Sequence, residues 1–236
     1  MSVKTVIVTG GSSGIGLSIS ELLIKEQYNV IILDLITPNK CDAIFFKCDI
    51  TNETEVVTTF QTILKQHSTI YGVINNAGII CDKMIWKMTS EEFDKVINVN
   101  LKGTWLVCRE SAKIMRQQNY GRIINISSRA WLGNPGQTNY SASKAGIIGL
   151  SRALALELGK YNVSVNVIAP GLIDTPLTQS LSPEVRQKLI NLQPQKNIGK
   201  PEDVAQAVSF LLNEKTNFIN GQLLYVDGGR SIGLSI

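Results

Sequence analysis

Tyr140 and Lys144 stand four residues apart in the run Tyr140-Ser141-Ala142-Ser143-Lys144. On a helix that spacing puts both side chains on one face. A phenol with an ordinary pKa of about 10 is a poor base at neutral pH. An ammonium beside it favours the phenolate and brings it toward the working range of a general acid or base. Taken alone, such a pair is more often an ordinary surface contact, so its meaning rests on what the rest of the chain brings to it. The one histidine, His67, falls in a helical stretch far from this run and is expected to be a solvated surface residue. No imidazole base competes with the tyrosine.

A second cluster is Thr9-Gly10-Gly11-Ser12-Ser13-Gly14-Ile15-Gly16, between an apolar run (Val3–Thr9) and an amphipathic stretch reaching Glu26. Glycines let a backbone turn tightly and approach a pyrophosphate, and a helix N-terminus offers unpaired N–H groups to the anion. The spacing here is G-x-x-x-G-x-G from Gly10 through Gly14 to Gly16, which a structural turn explains about as well. Asp34, however, ends the next apolar run (Asn29–Asp34), where a ribose hydroxyl would be gripped. The two together favour a dinucleotide cofactor.

The elements that must position these residues are legible as an alternation. Strand-like runs at Ala43–Cys48, Ile70–Asn75, Arg122–Ile126, Val163–Ile168 and Gln222–Val226 join the two above. Between them lie helical stretches at Glu53–Gln66, Glu91–Gln117, Asn139–Lys160 and Pro201–Leu212. Continuously apolar strands alternating with helices predict an α/β fold: a single doubly wound parallel sheet, Rossmann-like, with helices on both faces. No linker or repeat interrupts residues 1–236, so one domain is expected. Only Leu35 to Asp42 separate the second and third strands, too few for a helical crossover, and an extended loop is expected there.

Composition excludes several classes of function. Of 236 residues 44% are hydrophobic, enough for a sizeable core, and the net charge of +4 is scattered rather than clustered, which argues against nucleic acid. Four cysteines (Cys41, Cys48, Cys81, Cys108) lack any CxxC pairing. They suit reduced structural thiols in a cytoplasmic protein with no metal site. No apolar run is long enough for a membrane span or a signal peptide.

In order along the chain, Thr9 to Gly16, Asn75-Asn76-Ala77-Gly78, Asn98-Val99-Asn100, Ser127-Ser128, Tyr140 to Lys144 and Pro170-Gly171 resemble the motifs of the short-chain dehydrogenase/reductase family. The resemblance runs from about Val3 to Gly229. It implies hydride transfer between a nicotinamide and a secondary alcohol or ketone, with Tyr140 as acid/base. It also implies that Lys144 holds the nicotinamide ribose and lowers the tyrosine pKa, that Asn100 supports a proton-relaying water, and that a serine orients the substrate oxygen. Family spacing points to Ser127 for that serine; strand register favours Ser128, since a one-residue loop deletion is easier than reversing every side chain of a strand. We therefore expect Ser128.

By the same resemblance the cofactor would be met by Gly10, Ser12, Ser13, Gly14, Ile15, Gly16, Asp34, Asp49, Ile50, Asn76, Ala77, Gly78, Ile173 and Thr175, besides Tyr140 and Lys144. Asp34 implies NAD rather than NADP, because a 2′-phosphate would face a carboxylate with Lys40 the nearest cation. Residues 177–193 fill the place of a substrate lid. A stripe of Ala142, Gly146, Gly149 and Ala153 would join a homo-dimer or tetramer. The segments NYGRIINISS, GQTNYSASKAG and PEDVAQAVSFLL are similar to the family's 3-oxoacyl-[acyl-carrier-protein] reductases. Asp34 disagrees with their NADPH use, and Asn119 and Tyr161 stand where those reductases often carry basic residues. A catalytically silent cofactor-binding sensor is the remaining alternative.

Overall fold

The computed structural model describes residues 3–39, 41–179 and 181–232, with the Leu177 side chain outside the description. In chain order the main elements are β1 (Thr5–Thr9), α1 (Gly14–Lys25), β2 (Asn29–Asp34), β3 (Ile44–Lys47), α2 (Glu53–Gln66), β4 (Gly72–Asn75), α3 (Ser90–Ile97) and α4 (Thr104–Gln118). There follow β5 (Gly121–Ile126), α5 (Thr138–Leu158), β6 (Val163–Pro170), α6 (Pro176–Gln179), α7 (Pro183–Asn191), α8 (Pro201–Leu212) and β7 (Leu223–Val226). The strands form one seven-stranded parallel sheet in the order β3-β2-β1-β4-β5-β6-β7.

Alternate residues of each strand enter opposite cores, as the pleat requires. Ile7, Ile31, Val73, Ile123 and Val165 pack on one face with Phe60 of α2, Leu106 of α4 and Leu158 of α5. Val8, Ile32, Ile74, Ile124 and Ile168 pack on the other with Ile19 of α1 and Val204 and Leu211 of α8. This is the doubly wound α/β architecture expected from the sequence. Chain order reverses between β1 and β4, and in such sheets ligands bind outside the carboxyl ends at that switch point. Gly10, Asn76 and Ser127 each follow directly on the last residue of β1, β4 and β5.

Three local expectations are corrected. The stretch Glu91–Gln117 is not one helix: α3 and α4 are separated by a π-helical turn, Asn98–Gly103. Gly103 permits it, because a Cβ there would lie 2.8 Å from the Ile50 side chain. His67 is not a freely solvated helical residue; it caps the end of α2, half-buried, with Nδ1 3.2 Å from Asn29 Nδ2. In the small-residue stripe Gly146 faces inward, since a Cβ there would meet Leu101 at 2.8 Å. Between β2 and β3 the described residues form no helix, as expected; Lys40 lies outside the described residues. No described helix is long and apolar enough to cross a membrane.

Candidate active site

The glycine-rich turn is held open by its own backbone and by Asn76. Gly10 and Gly14 adopt left-handed backbone, with φ of 62° and 52°, a region L side chains avoid. Gly16 is the tightest position: a Cβ there would sit 2.0 Å from the Gly10 carbonyl oxygen. Asn76 Nδ2 donates to the Gly10 oxygen (2.9 Å) and the Thr9 oxygen (3.3 Å), and the Asn76 and Ala77 N–H groups donate to Thr9 Oγ1. The Asn76 side-chain donor is therefore engaged with the turn, and Asn76 lines both lobes of the adjoining cleft. Ser13 precedes α1 without making a side-chain capping bond, which leaves the helix N-terminus to an anion.

Beside this turn a cavity of about 510 Å³ is walled by Gly10, Ser13, Gly14, Asp34, Asp49 and Ile50, among others. Asp34 Oδ2 accepts from the Ser12 N–H (3.0 Å), and Oδ1 from the N–H groups of Leu35 (2.7 Å) and Ile36 (3.3 Å). Asp49 Oδ1 accepts from both the N–H and the hydroxyl of Thr51. The Ser12 hydroxyl is buried with no partner among the described residues. Among the described residues the lobe's ionisable side chains include two carboxylates and no Lys or Arg.

A second lobe of about 700 Å³ shares Ile15, Asn76, Gly78, Ile79 and Thr175 with the first. Together they form an elongated cleft along the carboxyl ends of the strands. This lobe is lined by Ser128, Tyr140 and Lys144, with Ile173 and Thr175 on another wall. Lys144 is 3% exposed; its Nζ donates to the Ile126 oxygen (2.9 Å) and lies 5.6 Å from the Tyr140 ring centroid. Burial pulls the Lys144 pKa down to about 8. Burial also raises the Tyr140 pKa; the Ser128 hydroxyl bonded to it acts in the opposite direction, and Asp82 adds to the rise. The Lys144 ammonium donates to the Ile126 carbonyl, and desolvation is the largest influence on the phenol.

Ser127 and Ser128 have different environments. Ser127 is buried, and its hydroxyl donates to the Lys144 backbone oxygen at 2.8 Å. Ser128 is half-buried, faces Tyr140, and accepts from the Ala130 N–H. Asn100 sits in the π-helical turn, fully buried, accepting from the Ile79 N–H (2.8 Å) and donating to the Ile79 oxygen (3.0 Å) and Ser143 Oγ (3.1 Å). A Cβ on Gly78 would be 3.2 Å from Asn100 Oδ1 and 3.5 Å from Lys144 Nζ, so amide and ammonium converge on one glycine.

Thr175 packs by Gly14, where a Cβ would come within 3.7 Å of it, and ties back to Thr178 through its N–H. Of the segment 177–193, Thr178, Leu189, Leu192 and Gln193 face the second lobe; Ser180 lies outside the described residues. Sequence reasoning missed Arg129 and Arg230, both in the wall of this lobe. Their only signal was adjacency to Ser128 and to the final glycine pair. It also missed Asn139, whose buried amide accepts from the Tyr140 N–H (2.7 Å) and donates to the Cys81 oxygen (2.9 Å).

A nicotinamide dinucleotide fits these residues: a glycine cradle that side chains would fill, an uncapped helix N-terminus, and a two-lobed cleft leading to a half-buried tyrosine beside a buried lysine. A family model described as enoyl-(acyl carrier protein) reductase matches residues 10–231. The chain is 41% identical over 239 aligned positions to 3-oxoacyl-[acyl-carrier-protein] reductase FabG of Chlamydia trachomatis, covering 96% of each chain. Its structure is similar to that of Thermoplasma acidophilum aldohexose dehydrogenase in ligand-free form, with a TM-score of 0.93 and 34% identity over 99% of this chain and 96% of that one. It is also similar to ElxO with NADP bound, with a TM-score of 0.92 and 30% identity over 97% and 99%. The chain belongs to the short-chain dehydrogenase/reductase family and is a nicotinamide-dependent oxidoreductase acting on the CH–OH group.

Proposed function

We propose that the chain interconverts a ketone and its secondary alcohol with NAD(H), using Ser128, Tyr140, Lys144 and Asn100. The observation that carries this reading is the convergence of Tyr140, Ser128 and Lys144 on one wall of a cleft continuous with the glycine cradle. A bound nicotinamide supplies the hydride donor or acceptor. Tyr140 gives the proton to the carbonyl oxygen in reduction and takes it back in oxidation, while Ser128 holds that oxygen by a hydrogen bond. Burial raises the Tyr140 pKa, which keeps the phenol protonated at neutral pH, the form that ketone reduction requires. Lys144 binds the ribose and carries the proton onward through a water supported by Asn100. Residues 177–193 close over the substrate.

NAD rather than NADP is favoured by charge. Asp34 and Asp49 are carboxylates of the first lobe, and no described Lys or Arg lines it; a 2′-phosphate there would meet like charge in a partly desolvated site. A second reading, reduction of a 3-oxoacyl group carried on acyl carrier protein, is favoured by the likeness to FabG, and the NADP held by ElxO speaks for the other cofactor. Turnover of a ketone panel with NADH and NADPH tests both points. Tyr140→Phe is expected to lower kcat by about 10²- to 10⁴-fold, the usual worth of a positioned acid. Asp34→Ala is expected to erase a preference for NADH of roughly 30-fold or more. Near-normal kcat in folded Tyr140→Phe, or equal use of the two cofactors by the wild type, would refute the corresponding claim.

A further inference from the structure

The lobe beside Tyr140 has a charge pattern opposite to that of the first. Three cations stand in its wall, Lys144, Arg129 and Arg230, and no described Asp or Glu does. Lys144 is engaged with the Ile126 oxygen beside the tyrosine. Arg129 follows Ser128 directly, so it is fixed on the substrate side of the acid/base pair by the end of β5. Its Nε is buried and has no hydrogen-bond partner among the described residues. Burying a guanidinium donor without an acceptor is unfavourable, and an anion seated in this lobe would supply the acceptor.

The nearby carboxylates do not complete it. Asp227 acts on Arg129 only through space, and its two oxygens accept from the N–H groups of Gly229 (3.1 Å) and Ser231 (2.8 Å). Asp82, near Tyr140, is held by Gln137 Nε2 at 2.8 Å. Arg230 contributes positive charge from the end of the sheet next to β7, and that charge and burial both act on Arg129 to lower its pKa, burial more strongly. Both guanidinium groups line this lobe, and the Arg129 Nε has no acceptor among the described residues, which an anion in the lobe would supply.

We propose that Arg129, with Arg230 beside it, forms an anion subsite that selects ketone or alcohol substrates carrying a carboxylate or phosphate group. This rests on the ketone–alcohol reading above and names its substrate class. A planar guanidinium presents paired N–H donors that match either anion. A neutral substrate of the same shape leaves the buried cation without an acceptor, so discrimination arises from loss as well as from gain.

The test compares shape-matched ketones: 3-oxobutanoate against pentan-2-one, and dihydroxyacetone phosphate against dihydroxyacetone. We expect kcat/KM to favour the anion by more than about 10-fold in at least one pair, and the pair that does so tells carboxylate from phosphate. In Arg129→Met that preference should fall about 10- to 100-fold, the range for a charge-assisted hydrogen bond. Arg129→Lys should restore part of it, and Arg230→Gln should weaken it less. A ratio near one in both pairs, a ratio unchanged in Arg129→Met, or strong preference for the neutral thioester S-acetoacetyl-N-acetylcysteamine over 3-oxobutanoate would overturn the subsite. Failure of the wild type to turn over any ketone instead counts against the ketone–alcohol reading. In that event calorimetric binding of 3-oxobutanoate and of inorganic phosphate still decides. Binding of either that weakens about 10-fold in Arg129→Met upholds the subsite, and equal affinity or no binding removes it.

Discussion

At the residue scale, burial sets the protonation of the groups around Tyr140, and Lys144 is where this becomes measurable. Its ammonium is held at a pKa of about 8 in the folded chain against an ordinary 10.5. Between those values the unfolded chain binds more protons than the folded one, so stability rises with pH across the window. The penalty of the buried charge is present in full below pH 8 and fades as pH approaches 10.5. Wild type should therefore gain about 2–3 kcal/mol over Lys144→Met between pH 7 and pH 10. Urea unfolding of both proteins at the two pH values measures this; a constant difference would mean that Lys144 titrates normally in the fold. The neighbouring serines divide differently. Ser128→Ala should lower kcat by about 10²-fold, in line with losing one oriented donor to the reacting oxygen. Ser127→Ala, which removes a buried bond to the Lys144 carbonyl, should chiefly lower stability, by about 1 kcal/mol. A larger kcat loss in Ser127→Ala reverses the assignment. Tyr140, Lys144 and the two serines were legible because each lies in a short run with fixed spacing. Arg129 and Arg230 were not, because they lie about a hundred residues apart in the chain and meet only when β5 and β7 end at the same edge.

At the element scale, apolar periodicity revealed the strands and most helices, since β1, β2, β4, β5 and β6 are buried on both faces and the long helices on one. It could not reveal the π-helical turn at Asn98–Gly103, because one extra residue per turn leaves the flanking apolar pattern nearly intact. Yet that turn brings the Asn100 amide onto both polar groups of Ile79. Nor could periodicity show that the Asn76 amide braces the glycine turn, a contact between segments far apart in the chain. The turn itself depends on absent side chains. In Gly16→Ala the added methyl would lie 2.0 Å from the Gly10 oxygen and 2.5 Å from Asn76 Nδ2, so the cradle must open. We expect a loss of stability of about 1–3 kcal/mol, as for other overpacked sites, with NADH affinity falling more than about tenfold. Thermal unfolding and fluorescence titration with NADH report the two effects. Unchanged affinity in the variant would mean that the close approach of Gly16 to Gly10 is not what shapes the site.

At the scale of the whole molecule, the outer face of α5 is what the single chain leaves unpartnered. Ser143, Ile147, Ser151, Ala155 and Leu158 point into the protein. Ala142, Ala145, Gly149, Ala153 and Leu156 recur every three or four residues on the opposite side, and all are exposed. Leu156 is 85% exposed, and a Cβ on Gly149 would meet nothing within 4 Å. Small residues in such a row let two helices approach closely, and burying a leucine side chain is worth about 1.5–3 kcal/mol. Trp105 of α4, 43% exposed with Arg109 stacked 5.1 Å from its ring, extends the same apolar surface. A face of this kind pairs most simply with itself about a two-fold axis. Light scattering should therefore give a mass that is a multiple of 25.9 kDa. Leu156→Glu combined with Gly149→Arg puts charge on the exposed face and touches no buried group, so it should release monomers. Because α5 carries Tyr140 and Lys144, the released chain should also unfold at a lower temperature that no longer rises with protein concentration, as mass action requires. A monomeric wild type at micromolar concentration would instead leave Leu156 an isolated exposed side chain and remove the oligomer from the account.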